Sequence, residues 1–239
     1  MFGMVDLHSH HLPELDDGPK RVDDAVAQVV RLGSAGYRCL VTTPHIIEGH
    51  YEYGLDEIRR RVDELQVLAG PAAPEIRPGA EHRFDERFLD LLERRQVVPI
   101  GGTGDVLLLE FAWPKLPPTI LEVLYRIQLK GYTVLLAHPD RYANDDADLE
   151  RLAAFVERGG LLQLELGSLV GVYGSDARRF AKHLLAEDLV HVVAGDVHKP
   201  ADIDTHVLPG LDALKREVGD ERARRLAVTQ PAQLIGVRV

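Results

Sequence analysis

Seven short apolar runs recur along this chain with helically patterned segments between them, and that alternation restricts the fold more than any other feature. The runs are 4–7, 39–41, a weaker stretch at 73–77, 106–109, 132–137, 161–166 and 191–194. The first intervening segment places Val26, Val29, Val30 and Ala35 on one side, and helical spacing returns at 55–68, 86–95, 119–130, 148–158 and 176–187. Gly36, Gly131 and Gly159-Gly160 stand just past three of these patterns, where helices commonly stop. Strands that alternate with helices pair in parallel through helical crossovers. Seven of them within about 195 residues favour one (β/α) barrel domain, 1–239, over two domains. An open doubly wound sheet is the alternative. Its Gly-x-Gly-x-x-Gly turn after the first strand is absent, and Gly101-Gly102-Thr103-Gly104 precedes a strand instead of opening a helix.

The residues at the end of each run carry the chemistry. The first run leads into Asp6-Leu7-His8-Ser9-His10, the second into Thr42-Thr43-Pro44-His45, the third into Gly79-Ala80-Glu81. The fourth ends in Glu110, the fifth in His138, the sixth in Glu165, and the seventh runs into Asp196-Val197-His198. In a parallel barrel these ends converge on one face, where active sites are built. So many carboxylates brought together would repel and protonate unless divalent cations neutralised them. On an extended segment His8 and His10 share a face, as do Asp196 and His198, so each pair can address one ion. Histidine with Asp and Glu but no cysteine suits Zn, Mn or Fe. The expected metal ligands are His8, His10, Asp16, His45, Glu81, Glu110, His138, Asp196 and His198, enough for two or three ions with bridging. His50, His183, His191 and His206 lie away from strand ends and are read as surface or core residues; His11 sits in the opposite phase from its neighbours. Glu165 is read equally as a pocket residue or as a buried hydrogen-bonding group.

Composition closes off other classes. The chain has 28 Lys and Arg against 38 Asp and Glu, a formal net charge of −10, and no basic run, which argues against nucleic acid and anionic membrane surfaces. Its one cysteine excludes a disulfide framework. Cys39 is followed six residues later by His45, so the Cys-x5-Arg loop of a thiolate phosphatase is absent, as is a Gly-x-Ser-x-Gly nucleophile elbow. No signal-peptide pattern opens the sequence, and the apolar runs are far short of a membrane span of roughly 18 residues. The expectation is a cytoplasmic protein with no membrane insertion.

The blocks Asp6-Leu7-His8-Ser9-His10-His11-Leu12-Pro13-Glu14-Leu15-Asp16-Asp17-Gly18, Thr43-Pro44-His45, Gly79-Ala80-Glu81, Leu109-Glu110-Phe111, His138-Pro139-Asp140-Arg141-Tyr142, Gly167-Ser168-Leu169 and Asp196-Val197-His198 together resemble the PHP (polymerase and histidinol phosphatase) superfamily. Within it the chain is most similar to the bacterial manganese-dependent protein-tyrosine phosphatases of capsular and extracellular polysaccharide systems. The resemblance covers essentially the whole chain. It implies a distorted (β/α)7 TIM-like barrel, with the metal site at the C-terminal ends of the strands, and a centre of three divalent metal ions, Mn with Fe or Zn as alternatives. His8, His10, Glu81 and Asp196 would hold the first ion. Glu81 would bridge to a second, completed by Glu110 and His138, and Asp16, His45 and His198 would hold the third. Arg141 would clamp the substrate phosphate, a use suited to a planar guanidinium. The chain departs from the pattern at His82, at Gly195 and after the Asp-x-His block, where Lys199-Pro200 stands and no arginine follows before Arg216.

The implied reaction is hydrolysis of a phosphomonoester by metal-bound hydroxide, on phosphotyrosine of a protein such as a bacterial tyrosine kinase that regulates polysaccharide synthesis. Four ligand carboxylates against three divalent ions leave a local charge of about +2, which attracts a phosphate dianion despite the acidic chain. Asp16 and His198 could influence leaving-group protonation, although a ligand is a poor general acid. A histidinol-phosphate or other small-molecule phosphatase would use nearly the same ligands, but with His expected where Asp16 and Glu110 stand. An amidohydrolase adds a bridging lysine at a strand end, and none of these strands ends in one. A non-catalytic metal-binding regulatory module is the reading from another class.

Overall fold

The structure is a computed structural model and describes residues 3–112, 115–142 and 145–238. Among the described residues nine strands run in chain order: β1 (Met4–Asp6), β2 (Tyr37–Thr42), β3 (His45–Ile46), β4 (Glu75–Pro78), β5 (Glu81–Arg83), β6 (Val106–Glu110), β7 (Thr133–Ala137), β8 (Leu161–Glu165) and β9 (Val192–Ala194). All their pairings are parallel, in two sheets ordered β1-β2-β4 and β3-β5-β6-β7-β8-β9. Each of the seven apolar runs overlaps a strand. The two strands beyond that number, β3 and β5, arise where Thr43-Pro44 and Gly79-Ala80 interrupt the line of β2 and of β4. A strand loses a ladder donor at proline, and a Cβ on Gly79 would meet the Val41 side chain at 2.8 Å. Where β1 and β9 run out, the Asp196 amide donates to His8 O at 3.0 Å and the His10 amide to Val197 O at 2.9 Å, so Ser9 and Val197 pair in parallel.

Both faces of the strands are buried, as parallel strands between helical layers require. Val106 and Leu108, Leu135 and Ala137, and Cys39 and Val41 belong to an inner apolar cluster. Their alternates Leu107 and Leu109, Val134 and Leu136, and Leu40 pack outward against the helices. Burial of each such Leu, Ile or Val is worth about 1.5–3 kcal/mol before the entropic cost. This parity places functional groups directly: Glu110 continues the inward series of β6, and Gln163 and Glu165 continue the inward series of β8.

Helices Val22–Ser34, Leu55–Ala69, Glu86–Glu93, Ile120–Gln128, Asp146–Glu157 and Ser175–Ala186 fill the crossovers, close to the expected segments. Asp85 and Asp145 cap two of them by accepting the amides of Phe88 and Asp148, both at 2.8 Å. The helical C-terminal region from Pro200 to Leu234 has no counterpart in the sequence reading. Wide π-type turns at Ile203–Val207 and Arg225–Thr229 and a left-handed Gly219 break its 3.6-residue period, so the apolar spacing there is irregular.

Candidate metal centre

The ends of β1, β5 and β9 bring four side chains to one point. His8 Nε2 lies 3.0 Å from Glu81 Oε2, 3.2 Å from Asp196 Oδ1 and 3.3 Å from His10 Nε2. His10 Nε2 lies 3.4 Å from Glu81 Oε2 and 3.3 Å from Asp196 Oδ1. Ligands about 2.1 Å from one ion are separated by about 3.0 Å at right angles and about 3.4 Å at tetrahedral angles, so all five edges match a single divalent cation. Asp196 Oδ1 is buried with no hydrogen-bond partner among the described residues. Two imidazole nitrogens aimed at each other and at two carboxylates fit a metal ion.

Titration behaviour agrees. Burial alone would lower the His8 pKa, but Glu81 and Asp196 outweigh it and raise the value to about 9. Burial would raise Glu81 and Asp196, yet His8 beside each holds both carboxyls well below their ordinary range. Protons on the imidazoles thus play the charge-neutralising part that a cation would take over.

The ring orientations are set from behind. His8 Nδ1 donates to Gln163 Oε1 at 2.8 Å, and His10 Nδ1 donates to Asp16 Oδ2 at 2.6 Å, which leaves each Nε2 lone pair directed at the centre. The buried Asp6 carboxylate accepts from the His8 amide at 3.1 Å and from the Gly195 amide at 3.1 and 3.2 Å, tying the ends of β1 and β9 together. Its burial pushes the carboxyl up to about 6.

Two further groups adjoin the first. His45 Nδ1 is 3.0 Å from Glu81 Oε2 and 3.5 Å from Glu110 Oε1. His138 Nε2 is 2.9 Å from Glu81 Oε1 and 4.0 Å from Glu110 Oε2. Burial, then the Glu81 charge, push the Glu110 carboxyl up to about 7. By strand parity His138 belongs with the outward Val134 and Leu136. Its left-handed backbone, φ 38°, accompanies the turn that sets it beside Glu81 instead, and Asp196 has φ 46°. Such backbone costs of order 1–3 kcal/mol and clusters at working sites.

On the other side, Asp17 Oδ1 lies 3.2 Å from His198 Nε2, 3.6 Å from His45 Nε2 and 4.0 Å from His10 Nδ1. The structure does not bring the Asp16 carboxylate to the His45 and His198 rings, where the expectation had it. Asp16 is buried behind His10, and its oxygens also accept the amides of Gly18 at 2.9 Å and His45 at 3.0 Å. The residue that meets His45 and His198 is the half-exposed Asp17. Both sit in the doublet Asp16-Asp17-Gly18, and no periodicity outside a strand says which carboxylate turns inward. His8, His10, His45, Glu81, Glu110, His138, Asp196 and His198 do converge.

A cavity of about 230 Å³ opens onto this centre and is also lined by Arg83, Phe111, Arg141 and Tyr142. Arg141 Nη1 lies 3.1 Å from Glu165 Oε1 and 3.6 Å from Asp196 Oδ2, and its guanidinium rests 4.6 Å above the centre of the Tyr173 ring. Glu165 is fully buried, is not among the residues that line the cavity and accepts a hydrogen bond from Arg141, which fits the reading as a buried hydrogen-bonding group and makes it the group that aims Arg141. Gln163, Tyr173, Arg83 and Asp17 are the residues sequence reasoning did not place. Only the inward parity of 163 could have signalled one of them. His11 is buried against Gln28, 2.9 Å from its Oε1, and burial pushes it down to about 4. Cys39 is a buried strand residue whose thiol burial pushes up to about 12. No helix of the described residues is long and apolar enough to cross a membrane.

Known proteins resemble this chain in sequence and fold. Residues 4–236 match the family model described as capsular polysaccharide synthesis, CpsB/CapC. The chain is 30% identical over 234 residues to the tyrosine-protein phosphatase YwqE of Bacillus subtilis, covering 97% of this chain and 91% of that protein. It is 26% identical over 239 residues to the tyrosine-protein phosphatase CpsB of Streptococcus pneumoniae, covering 97% and 98%. A crystal structure from work on YwqE and CpsB, described there as metal-dependent tyrosine phosphatases, superposes with a TM-score of 0.86 at 29% identity, over 99% of this chain and 96% of that one. A histidinol phosphate phosphatase from Lactococcus lactis, at 14% identity and a TM-score of 0.58 over 93% and 94% of the two chains, shares the fold. With the match running through nearly every described residue, the chain belongs to the CpsB/CapC family of capsular polysaccharide synthesis.

Proposed function

We propose that this protein is a metal-dependent protein-tyrosine phosphatase that acts on a phosphotyrosine protein, a bacterial tyrosine kinase that regulates polysaccharide synthesis. The observation that carries the reading is the cavity in which Arg141 stands beside three adjoining imidazole–carboxylate clusters, in a chain 30% identical to a tyrosine-protein phosphatase. Three divalent ions, Mn by preference, fit the donor set. His8, His10, Glu81 and Asp196 would hold one; Glu81, Glu110 and His138 a second; and Asp17, His45 and His198 a third. When bound, such ions supply Lewis acidity that activates water near neutral pH and offsets charge on the phosphate.

The chain's own groups do the rest. Arg141, held by Glu165 and Tyr173, presents its fork to two phosphate oxygens and orients the ester. Phe111 and Tyr142 give the cavity an apolar wall for an aryl ring. The leaving group is a tyrosine phenolate of pKa about 10, which departs with little help from an acid. We further read the chain as one domain in which β1 and β9 complete a distorted seven-stranded barrel, supported by the Ser9–Val197 bridge. A cytoplasmic location suits an enzyme whose substrate is a kinase's phosphotyrosine.

The test is to determine the bound metal of the purified protein and to assay phosphotyrosine peptides, phosphoserine peptides, histidinol phosphate and an aryl phosphate with Mn. Phosphotyrosine should be turned over fastest. Hydrolysis of no ester by metal-loaded protein would refute the reading.

A further inference from the structure

The cavity holds a second guanidinium that the ligand set does not use. Arg83 ends β5, two residues after Glu81, and is the register partner of Glu110 on β6. Its Nε and one terminal nitrogen, Nη2, both lie 3.1 Å from the same oxygen of Glu110, Oε1. The other, Nη1, has no hydrogen bond or ion pair among the described residues, and the side chain is 34% exposed and lines the cavity. Arg141 reaches the same space from the opposite flank, anchored through Glu165 on β8 and Asp196 after β9. Lys199, the cation that comes directly after the Asp-x-His block, is exposed and is not among the residues that line the cavity.

Resting on the phosphatase reading above, we infer that Arg83 is a second phosphate-contacting residue, which with Arg141 brackets the phosphate of the substrate from the β6 side. Glu110 is buried and Arg83 about one-third exposed, and in such a pair the attraction is largely offset by desolvation of the charges, so stability gives weak reason for an arginine at the cavity wall. A phosphate dianion offers three oxygens. One guanidinium can take two of them, and a second donor from the far side fixes the remaining one and with it the direction of the ester bond. Glu110 also competes less for Arg83 once its charge is shared with a cation, which leaves the fork for an anion. The contact serves any phosphomonoester, so it acts on affinity for the phosphate group and not on the choice of aryl over alkyl esters.

The rival role is purely local: Arg83 would only hold Glu110 in place, and metal binding would report that. Arg83→Gln and Arg83→Lys are compared with wild type as Mn-loaded protein. The measurements are metal content, calorimetric binding of inorganic phosphate, and kcat and KM for a phosphotyrosine peptide. Arg83→Gln should keep its metal, weaken phosphate binding and raise KM by about 10- to 100-fold each, and change kcat by no more than about threefold. Arg83→Lys, with the charge but not the fork, should fall between and serves if the Gln variant does not fold. Unchanged phosphate affinity overturns the inference. So does loss of metal in step with phosphate in both variants, because Arg83 would then act only through Glu110. If wild type binds phosphate but cleaves no phosphotyrosine, the proposed function fails, and the phosphate isotherms still decide the role of Arg83.

Discussion

Gln163 makes the sharpest case for an effect exerted one layer away from the metal site. It is fully buried on β8, and its Oε1 accepts from His8 Nδ1 at 2.8 Å, while its Nε2 has no hydrogen-bond partner among the described residues. Gln163→Leu removes both groups at nearly constant volume. Loss of the acceptor leaves His8 Nδ1 unsatisfied, at about 1–3 kcal/mol, and loss of the unpaired amide returns a similar amount. Folding stability of the metal-free protein should therefore stay within about 1 kcal/mol of wild type. Metal affinity should not, because His8 is free to rotate or to change tautomer. Removing a partner of this kind costs about 10- to 100-fold in affinity, or about 1.4–2.7 kcal/mol. Gln163→Glu keeps an acceptor toward Nδ1 and should retain binding. Competition titration against a chromophoric chelator measures affinity, and urea unfolding of chelator-treated protein measures stability. Wild-type affinity in Gln163→Leu would refute the orienting role, and an unfolded variant would refute the cancellation.

Asp17→Asn should lower the number of bound metal ions per chain, while Asp16→Asn should keep that number but lose about 1–3 kcal/mol of stability, because it weakens the buried contact to His10; metal analysis and urea unfolding check both, and the reverse pattern would restore Asp16 as the ligand. Burial and the neighbouring Asp196 push the Glu165 carboxyl well above its usual range, with Arg141 pulling the other way. The isosteric Glu165→Gln should then be mild, whereas Glu165→Leu should raise KM about 10- to 100-fold without loss of metal. His82 is fully buried, its Nε2 accepts the Val98 amide at 3.0 Å, and burial pushes its pKa down to about 4. The unfolded chain therefore takes up this proton first, and the stability present above about pH 6.5 is lost as pH falls towards 4, by at most about 1.4 kcal/mol per pH unit. In chelator-treated protein the difference in unfolding free energy between wild type and His82→Gln should show that slope, and a pH-independent difference would contradict it.

The layered parallel architecture and most of the centre are written in local sequence. Short continuous apolar runs, buried on both faces, with helical spacing between them, leave few other folds. The residue types at their ends, His8, His45, Glu81, Glu110, His138 and Asp196, form groups that could hold a cation, because carboxylates sharing a dry pocket need a compensating charge. Other features exist only in the assembled fold, because local patterns do not encode them. Asp17 rather than Asp16 faces His45 and His198, since beyond β1 the chain follows a loop with no side-chain period. His138 faces the centre against its strand parity through a left-handed turn. Gln163, Glu165, Tyr173 and Arg83 take their roles from groups far away in sequence, as in the hydrogen bond from His8 to Gln163, 155 positions apart. Periodicity fixes which face a residue occupies, but which partner waits there is settled only when separate strands are brought side by side.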